Sequence, residues 1–206
     1  MKSFQRFFVV AALVCASVTG SQASTNSFEF QQRDLAFPSK QPGSFFGQSG
    51  TALIVGGGMG HDFKPNGKVF VQPAGEKQWR EFELKTPVIM PGYVSATLTE
   101  NGKSVNRLIL VGGTSTNGIT TQVQVLEWLD NTLHQTLLPS LPVALSGAGV
   151  GFFEDQSQKQ LYVVGGQAEA GLSQRLFRLA FKGASPTWEE LPPMPCLLYT
   201  SPSPRD

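Results

Sequence analysis

Few residues in this sequence could do chemistry, and four of them are candidates for contacts with a substrate. His61 and Asp62 lie in a loop directly after an apolar run, and Tyr93 and Ser146 lie where two later strands should begin. Each has a plainer interpretation. The loop pair could simply be solvated, and the other two side chains could pack against neighbouring strands.

No recognisable catalytic or metal-binding constellation accompanies these candidates. The chain has only two histidines, His61 and His134, and they form no Ser-His-Asp grouping and no cluster with metal-ligand spacing. The glycine-rich residues 56–60 do not match a nucleotide loop, because His61 occupies the third glycine position of G-x-G-x-x-G. Pro65 and Gly67 also exclude the helix that such a loop must open. The sequence therefore predicts no metal and no cofactor.

The elements that must position the candidates contain a repeat. An apolar run ending in two glycines occurs at residues 52–57, 107–113 and 160–166, and the final glycines are 56 and 53 residues apart. A period near 50 is typical of repeat architectures, although three unrelated strand ends are the alternative. Such a run predicts a strand buried on both faces. The glycine pair allows positive φ and close backbone approach.

Three similar units surround these runs, at residues 45–91, 92–142 and 143–195. Each shows four predicted strands in one order, with the double glycine after the second strand. A four-stranded antiparallel unit cannot bury both faces alone, so its neighbours must stack against it. Radial stacking predicts an all-β fold, a β-propeller of which these units are about three blades.

The tryptophans support equivalence of the first and third units. Trp79 and Trp188 each lie 22 residues after the second glycine of their unit, whereas Trp128 lies only 15 residues after it. We therefore predict that Trp128 belongs to the third strand of the middle unit. Its fourth strand should pack through Leu133 and Leu137 instead.

The beginning of the chain is predicted to be a secretory signal. In residues 1–23, Lys2 and Arg6 precede an apolar stretch that is too short to span a bilayer, and a small-x-small cleavage site ends at Ala23. We therefore expect a periplasmic or secreted bacterial protein that is free of the membrane after cleavage. Residues 24–44 are predicted to be a linker, or a strand that closes a distant blade.

The end of the chain is predicted to lie outside the fold as well. Residues 196–206 resemble the translation of a sequencing adapter, so we expect the natural sequence to continue differently after Pro195. Cys15 and Cys196 then lie in the leader and the tail, and no disulfide or thiolate nucleophile is expected between them. The formal net charge of +1 favours neither nucleic acid nor an anionic membrane as a partner.

The double glycine, the later tryptophan and the Leu-Pro-Pro-Met-Pro at residues 191–195 resemble the kelch repeat. Within kelch proteins, residues 56–69 resemble the first blade of the cyclically permuted branch of bacterial sialate mutarotases (N-acetylneuraminate epimerases). Residues 138–142 resemble that branch's second-blade exit, and residues 176–195 resemble its third blade. The chain departs from the pattern at Met59-Gly-His-Asp62 and at Val69.

The resemblance implies a six-bladed periplasmic propeller that interconverts the anomers of sialic acid, a small sugar acid. Its proposed catalytic glutamate and arginine follow a double glycine in one blade, which in the permuted order falls after the end of this chain. Here Gln167 follows the third double glycine, and Ser173 lies where an arginine would be sought. No catalytic residue is therefore transferred, and no oligomeric state is predicted.

Two other functions found among kelch proteins compete with this one. A non-catalytic module that binds glycan or protein is the alternative. A copper oxidase of the galactose-oxidase type is disfavoured, because it needs a cysteine-crosslinked tyrosine and residues 24–195 contain no cysteine. Three blades alone would leave sheet edges and inter-blade faces bare, so we expect residues 24–195 to aggregate or to be inactive in isolation.

Overall fold

Three four-stranded antiparallel sheets form the protein, and each has the strand order expected of a propeller blade. The computed structural model describes residues 41–100, 103–155, 158–181 and 186–196, which all belong to one compact unit, Leu35–Asp206. The predicted signal, most of the predicted linker and nearly all of the predicted adapter tail lie outside the described residues. No helix occurs among the described residues, and so none of them forms a helix that could cross a membrane.

The strands follow the predicted order in every sheet. The first blade comprises β1 (Ser44–Ser49), β2 (Ala52–Gly57), β3 (Lys68–Gln72) and β4 (Arg80–Glu83). The second comprises β5 (Gly92–Glu100), β6 (Lys103–Val111), β9 (Val123–Leu129) and β10 (Thr132–Leu138), with a small hairpin of β7 (Thr114–Ser115) and β8 (Gly118–Ile119). The third comprises β11 (Gly149–Asp155), β12 (Gln158–Val164), β15 (Leu176–Ala180) and β16 (Thr187–Leu191), with a hairpin of β13 (Gln167–Ala168) and β14 (Gly171–Leu172).

The blades stack with their first strands side by side. Within each sheet the strands pair in chain order, omitting the small hairpins, and β1 contacts β5 while β5 contacts β11. First strands that neighbour one another define the inside of a fan, and fourth strands its outside. This confirms the predicted all-β propeller blades.

The glycine pairs are equivalent between blades, but the register of the first blade differs from the predicted one. Positive φ occurs at Gly57-Gly58, Gly112-Gly113 and Gly165-Gly166, with values of 61–66° at the first glycine and 86–97° at the second. Gly56 instead lies within β2. The residue before each pair lies opposite an equivalent position near the start of the third strand. Gly56 lies opposite Val69, Val111 opposite Val123 and Val164 opposite Leu176. The first pair is therefore Gly57-Gly58, one residue later than the sequence indicated.

Close approach explains the need for glycine at these positions. A Cβ on Gly112 would collide with the carbonyl oxygen of Leu145, and a Cβ on Gly166 would lie 2.9 Å from the carbonyl oxygen of Ser146. Both oxygens belong to the segment that leads into β11, the first strand of the third blade, which is the next blade for Gly112 and the same blade for Gly166. The absence of a side chain thus allows the second strand's end to contact that segment.

Two apolar cores lie between the blades. In β6, Leu108 and Leu110 join the core shared with the first blade, while Ile109 and Val111 join the core shared with the third. Alternating side chains of one strand point to opposite faces, so β6 is buried on both, as predicted. In the outer blades this prediction holds only in part, because Leu53 of β2 is 37% exposed and Tyr162 of β12 is half-buried. Each outer blade has only one described neighbour.

The middle blade's outer strands match most of the prediction. Trp128 lies in the third strand, β9, and Leu133 of β10 lies opposite it and is buried. Leu137, however, is 65% exposed, which corrects its predicted packing role. It lies opposite Gln124, whose side-chain amide donates to the carbonyl of Thr86 at 3.2 Å. Leu137 therefore has the polar residue Gln124 as its cross-strand partner, and not an apolar one.

Candidate functional site

The first strands of all three blades begin around one cleft of about 380 Å³. Residues 43–44 line it from the first blade, residues 90–93 from the second and residues 147–150 from the third. It lies at the end of the blades where each second strand finishes in its glycine pair, which we call the double-glycine end. The cleft thus combines equivalent parts of three repeats.

A belt of backbone hydrogen bonds joins the blades at this cleft. Gly43, Met90 and Gly147 all have positive φ, at 72°, 50° and 64°. The Met90 N–H donates to the Gly43 carbonyl at 2.8 Å, and the Gly147 N–H donates to the Met90 carbonyl at 2.8 Å. We call these three residues the axial belt. Because each bond crosses from one blade to the next, the belt holds the beginnings of the first strands at a defined spacing.

A second set of bonds attaches the loops after the glycine pairs. The N–H groups of Met59, Thr114 and Gln167 donate to the carbonyls of Pro42, Ile89 and Ser146 at 2.8–2.9 Å. These pairings place the loops at the double-glycine end, beside the segments that carry the belt. Candidates from different parts of the sequence are therefore brought to one end of the fold.

Tyr93 is the predicted candidate that lines the cleft. Its ring is half-buried and contacts Phe46 edge-on, with centroids 5.4 Å apart and planes at 61°. Within the described part of the chain its hydroxyl makes no hydrogen bond. A fixed ring with a free hydroxyl can give a ligand both an apolar contact and a polar one.

His61 and Asp62 are exposed in the loop at residues 58–67 and do not line the cleft. The loop is held by its own contacts. The Gly60 N–H donates to the Lys64 carbonyl at 2.8 Å, and Asp62 Oδ1 accepts from the Lys64 N–H at 3.2 Å. The Lys64 ammonium also lies 3.9 Å from the Asp62 carboxylate. These bonds give Asp62 a local role in shaping the turn.

Ser146 is buried behind the axial belt. Its hydroxyl oxygen accepts from Thr114 Oγ1 at 3.1 Å and donates to the Met90 carbonyl at 3.4 Å. Only 7% of the residue is exposed, and it is not among the residues that line the cleft. The structure therefore gives this side chain a supporting contact with the belt.

No charged side chain lines the cleft, and the ion pairs with shifted pKa values lie on the outer strands. The Arg175 guanidinium makes two 2.7 Å bonds to Glu190, and these lower the pKa of that carboxyl against the opposing effect of burial. A hydrogen bond to Glu81 likewise raises the pKa of Lys68. Among the described residues no group of three His, Cys, Asp or Glu side chains could hold a metal ion.

Residue types and spacing did not indicate Met90 or the two belt glycines as part of the site. A signal was present, because glycine lies at or just before the start of each first strand: Gly43 precedes β1, Gly92 begins β5, and Gly147 precedes β11. Such glycines mark turns. Nothing in the residue types shows that a methionine occupies the left-handed position in the middle blade.

Comparison with known proteins identifies the fold. No family model and no curated protein matches the sequence. Among solved structures, the chain is similar to YjhT, a kelch-like β-propeller, with 16% sequence identity and a TM-score of 0.61. The similarity covers 78% of this chain and 54% of YjhT, so the chain spans about half the length of that protein. At this identity the likeness establishes architecture alone: these are blades of a kelch-like β-propeller.

Proposed function

We propose that the complete protein is a periplasmic sialate mutarotase, with a six-bladed propeller to which this chain contributes three blades. The observation that carries the proposal is the cleft of about 380 Å³ at the double-glycine end, shared by three kelch-like blades. Ligand sites are commonly concave, largely apolar and preformed. The likeness of residues 56–69 and 176–195 to sialate mutarotases supplies the substrate class.

Mutarotation of a sialic acid requires a general base and a general acid. The base removes the proton of the anomeric hydroxyl, the acid protonates the ring oxygen, and the bond between that oxygen and the anomeric carbon breaks. Rotation of the resulting ketone and the reverse steps close the ring on the other face. No atom is gained or lost, so no cofactor is needed.

The described cleft supplies binding surface, and its lining contains no carboxylate, imidazole or guanidinium. The acid–base pair and a guanidinium for the substrate carboxylate therefore belong, in this proposal, to the blades beyond residue 195. Arginine suits the second task because it binds a carboxylate through two parallel hydrogen bonds.

The test follows anomer exchange by proton NMR, with the complete protein and α-N-acetylneuraminate freshly released by a sialidase. We expect the α signal to decay faster than in buffer, in proportion to protein concentration. Decay at the buffer rate would refute the proposal. Saturable sugar binding without faster exchange would identify a non-catalytic binding module instead.

A further inference from the structure

We infer that the cleft contains an uncharged subsite in which Tyr93 and Met90 contact the apolar C–H face, or an acyl substituent, of a pyranose ligand. The inference rests on the proposed function for the choice of sugar, but its evidence is the geometry of the cleft. It assigns a binding role to two side chains and divides the ligand into a part held here and a charged part held elsewhere.

The lining of the cleft determines which part of a sugar it can accept. Residues 43–44, 90–93 and 147–150 contribute glycine backbone, small apolar side chains, one tyrosine, one methionine and the hydroxyl of Ser44, which donates to the Gln41 carbonyl at 2.7 Å. A carboxylate would lose hydration there without gaining a cationic partner from these residues, which is unfavourable. Ring C–H groups and an acyl methyl carry no such cost.

The tyrosine is held so that a ligand can approach it. Phe46 supports the ring edge-on from the neighbouring blade, with 5.4 Å between centroids, and the Tyr93 hydroxyl is unbonded within the described residues. Little side-chain entropy remains to be lost when a ligand packs on a ring already fixed by a neighbour. The free hydroxyl can then bond to one sugar hydroxyl.

Met90 is the stronger indication, because its backbone conformation is unfavourable for a residue with a side chain. It has φ of 50° at the belt position where the neighbouring blades have glycine, and the residue is 54% exposed. Glycine would satisfy this conformation without strain. The exposed part of the side chain contributes little to packing, so core stability does not explain why methionine occupies the position.

The neighbouring glycines leave room for this side chain. A Cβ on Gly43 would lie 2.9 Å from Met90 Cγ, and a Cβ on Gly147 would lie 3.5 Å from Met90 Cε. The methionine therefore extends along the belt from the first blade to the third. A flexible thioether at the rim of a cleft can adapt to an apolar ligand surface.

The experiment uses the complete protein and the methyl α-glycoside of N-acetylneuraminate, which cannot open its ring and so reports binding alone. Saturation-transfer NMR should show the strongest transfer to ring and acetyl protons in the unaltered protein. We expect Tyr93→Ala to weaken binding about tenfold, and Tyr93→Phe to weaken it less because the ring remains. Met90→Gly should weaken binding several-fold, as about 1 kcal/mol corresponds to a five-fold change.

Met90→Gly also separates a binding role from a structural one. Because glycine accepts the left-handed conformation, the variant should melt at an unchanged or higher temperature while it loses affinity. Leu137→Ala is the matched control, since it removes an apolar side chain that is also more than half exposed, from the outer strand β10. It should bind like the unaltered protein.

The results for binding and for catalysis are read separately. Tyr93-dependent binding without faster anomer exchange would remove the proposed function and leave the subsite standing. Faster exchange with KM unchanged in Tyr93→Ala and Met90→Gly would overturn the subsite and leave the function standing. No binding of the methyl glycoside to the unaltered protein, or equal binding by all variants, would also overturn it.

Discussion

The two interfaces between blades have the same architecture and different chemistry. Leu126 in the first interface and Leu179 in the second lie three residues after equivalent positions of the third strand, and both are fully buried. Each packs into its own apolar core, toward the preceding blade. The shared feature is therefore the burial of one leucine at a defined position of the repeat.

The outer strands hold the preceding blade with different side chains. Gln135, opposite Leu126, donates to the Glu83 carbonyl at 2.7 Å and accepts from the Lys85 N–H at 2.9 Å. Trp188, opposite Leu179, donates from Nε1 to the Pro139 carbonyl at 2.8 Å. In both blades a side chain of the fourth strand thus donates a hydrogen bond to a backbone carbonyl of the preceding blade at or just after its fourth strand, although the residue type varies.

A buried ion pair distinguishes the face that the second blade turns toward the third. Arg107 Nε bonds to Glu127 at 2.8 Å, and these side chains are only 9% and 16% exposed. Ala52 occupies the position of Arg107 in the first blade, since each lies five residues before the first glycine of its pair, and Ala52 is fully buried. At this position the first interface therefore has an apolar side chain, whereas the second has an arginine paired with a glutamate.

The largest expected loss of stability comes from truncating one leucine in each core, and it shows whether the two cores are equivalent. Leu126→Ala and Leu179→Ala should each lower the free energy of unfolding by about 2–5 kcal/mol, because each leaves a cavity in a packed core. Denaturant titration of the complete protein, followed by circular dichroism, measures both changes. Leu137→Ala, at an exposed site, should change it by less than about 0.5 kcal/mol. A loss at only one leucine would show that the cores are not equivalent.

The ion pair should give the next largest effect. Glu127→Ala removes a charged hydrogen-bond partner from Arg107 and should cost about 1.5–3 kcal/mol, again by denaturant titration. Replacing both residues, as Arg107→Leu with Glu127→Leu, should restore most of the loss, since apolar substitutes avoid the desolvation of charge. A double variant as unstable as the single one would contradict this account.

The loss of stability on removing each outer-strand contact should depend on the number of hydrogen bonds lost. Gln135→Leu removes two hydrogen bonds at a partly exposed site and should cost about 1–2 kcal/mol, whereas Trp188→Phe removes one and should cost about 0.5–1.5 kcal/mol. Thermal melting under identical conditions ranks them. If Trp188→Phe were the more damaging, the contribution of the indole to packing would exceed that of its hydrogen bond.

The smallest expected effect is on the pH dependence of folding stability. Hydrogen bonds from Arg175 lower the pKa of Glu190 from its ordinary value of 4.5, so folding is favoured when the carboxyl is ionised. That contribution is present above pH 4.5 and is lost as the pH falls through the lowered value. Glu190→Gln should therefore reduce Tm slightly at neutral pH and not in strong acid. Glu169→Gln, in the exposed β13–β14 hairpin, should leave Tm unchanged both at neutral pH and in strong acid.

Much of the fold could be predicted from local patterns. Continuous apolar runs and glycine pairs act over a few residues, and the structure has four-stranded blades where they predicted them. The position of Trp128 in the third strand followed from the same spacing. The register of the first glycine pair did not, because Gly56 and Gly57 look alike in sequence and only cross-strand pairing distinguishes them.

The candidate site could be predicted only in part, for a related reason. Pro42, Ile89 and Ser146 occupy one structural position, where all three use the backbone carbonyl, so the shared role does not depend on the side chain. A sequence reading that follows residue types therefore singles out Ser146, and the structure places it behind the belt. Met90 carries no sequence signal of its left-handed backbone, because contacts between blades impose that conformation.

The amino-acid sequence alone determined the repeat, the four-stranded units and their need to stack, since these depend on hydrophobic periodicity and on glycine's conformational freedom. Tertiary structure decided which side chains meet at the cleft and which neighbours satisfy them. Those outcomes depend on backbone hydrogen bonds between residues about 50 positions apart, such as Met90 to Gly43 and Gly147 to Met90. No local pattern encodes contacts over that separation.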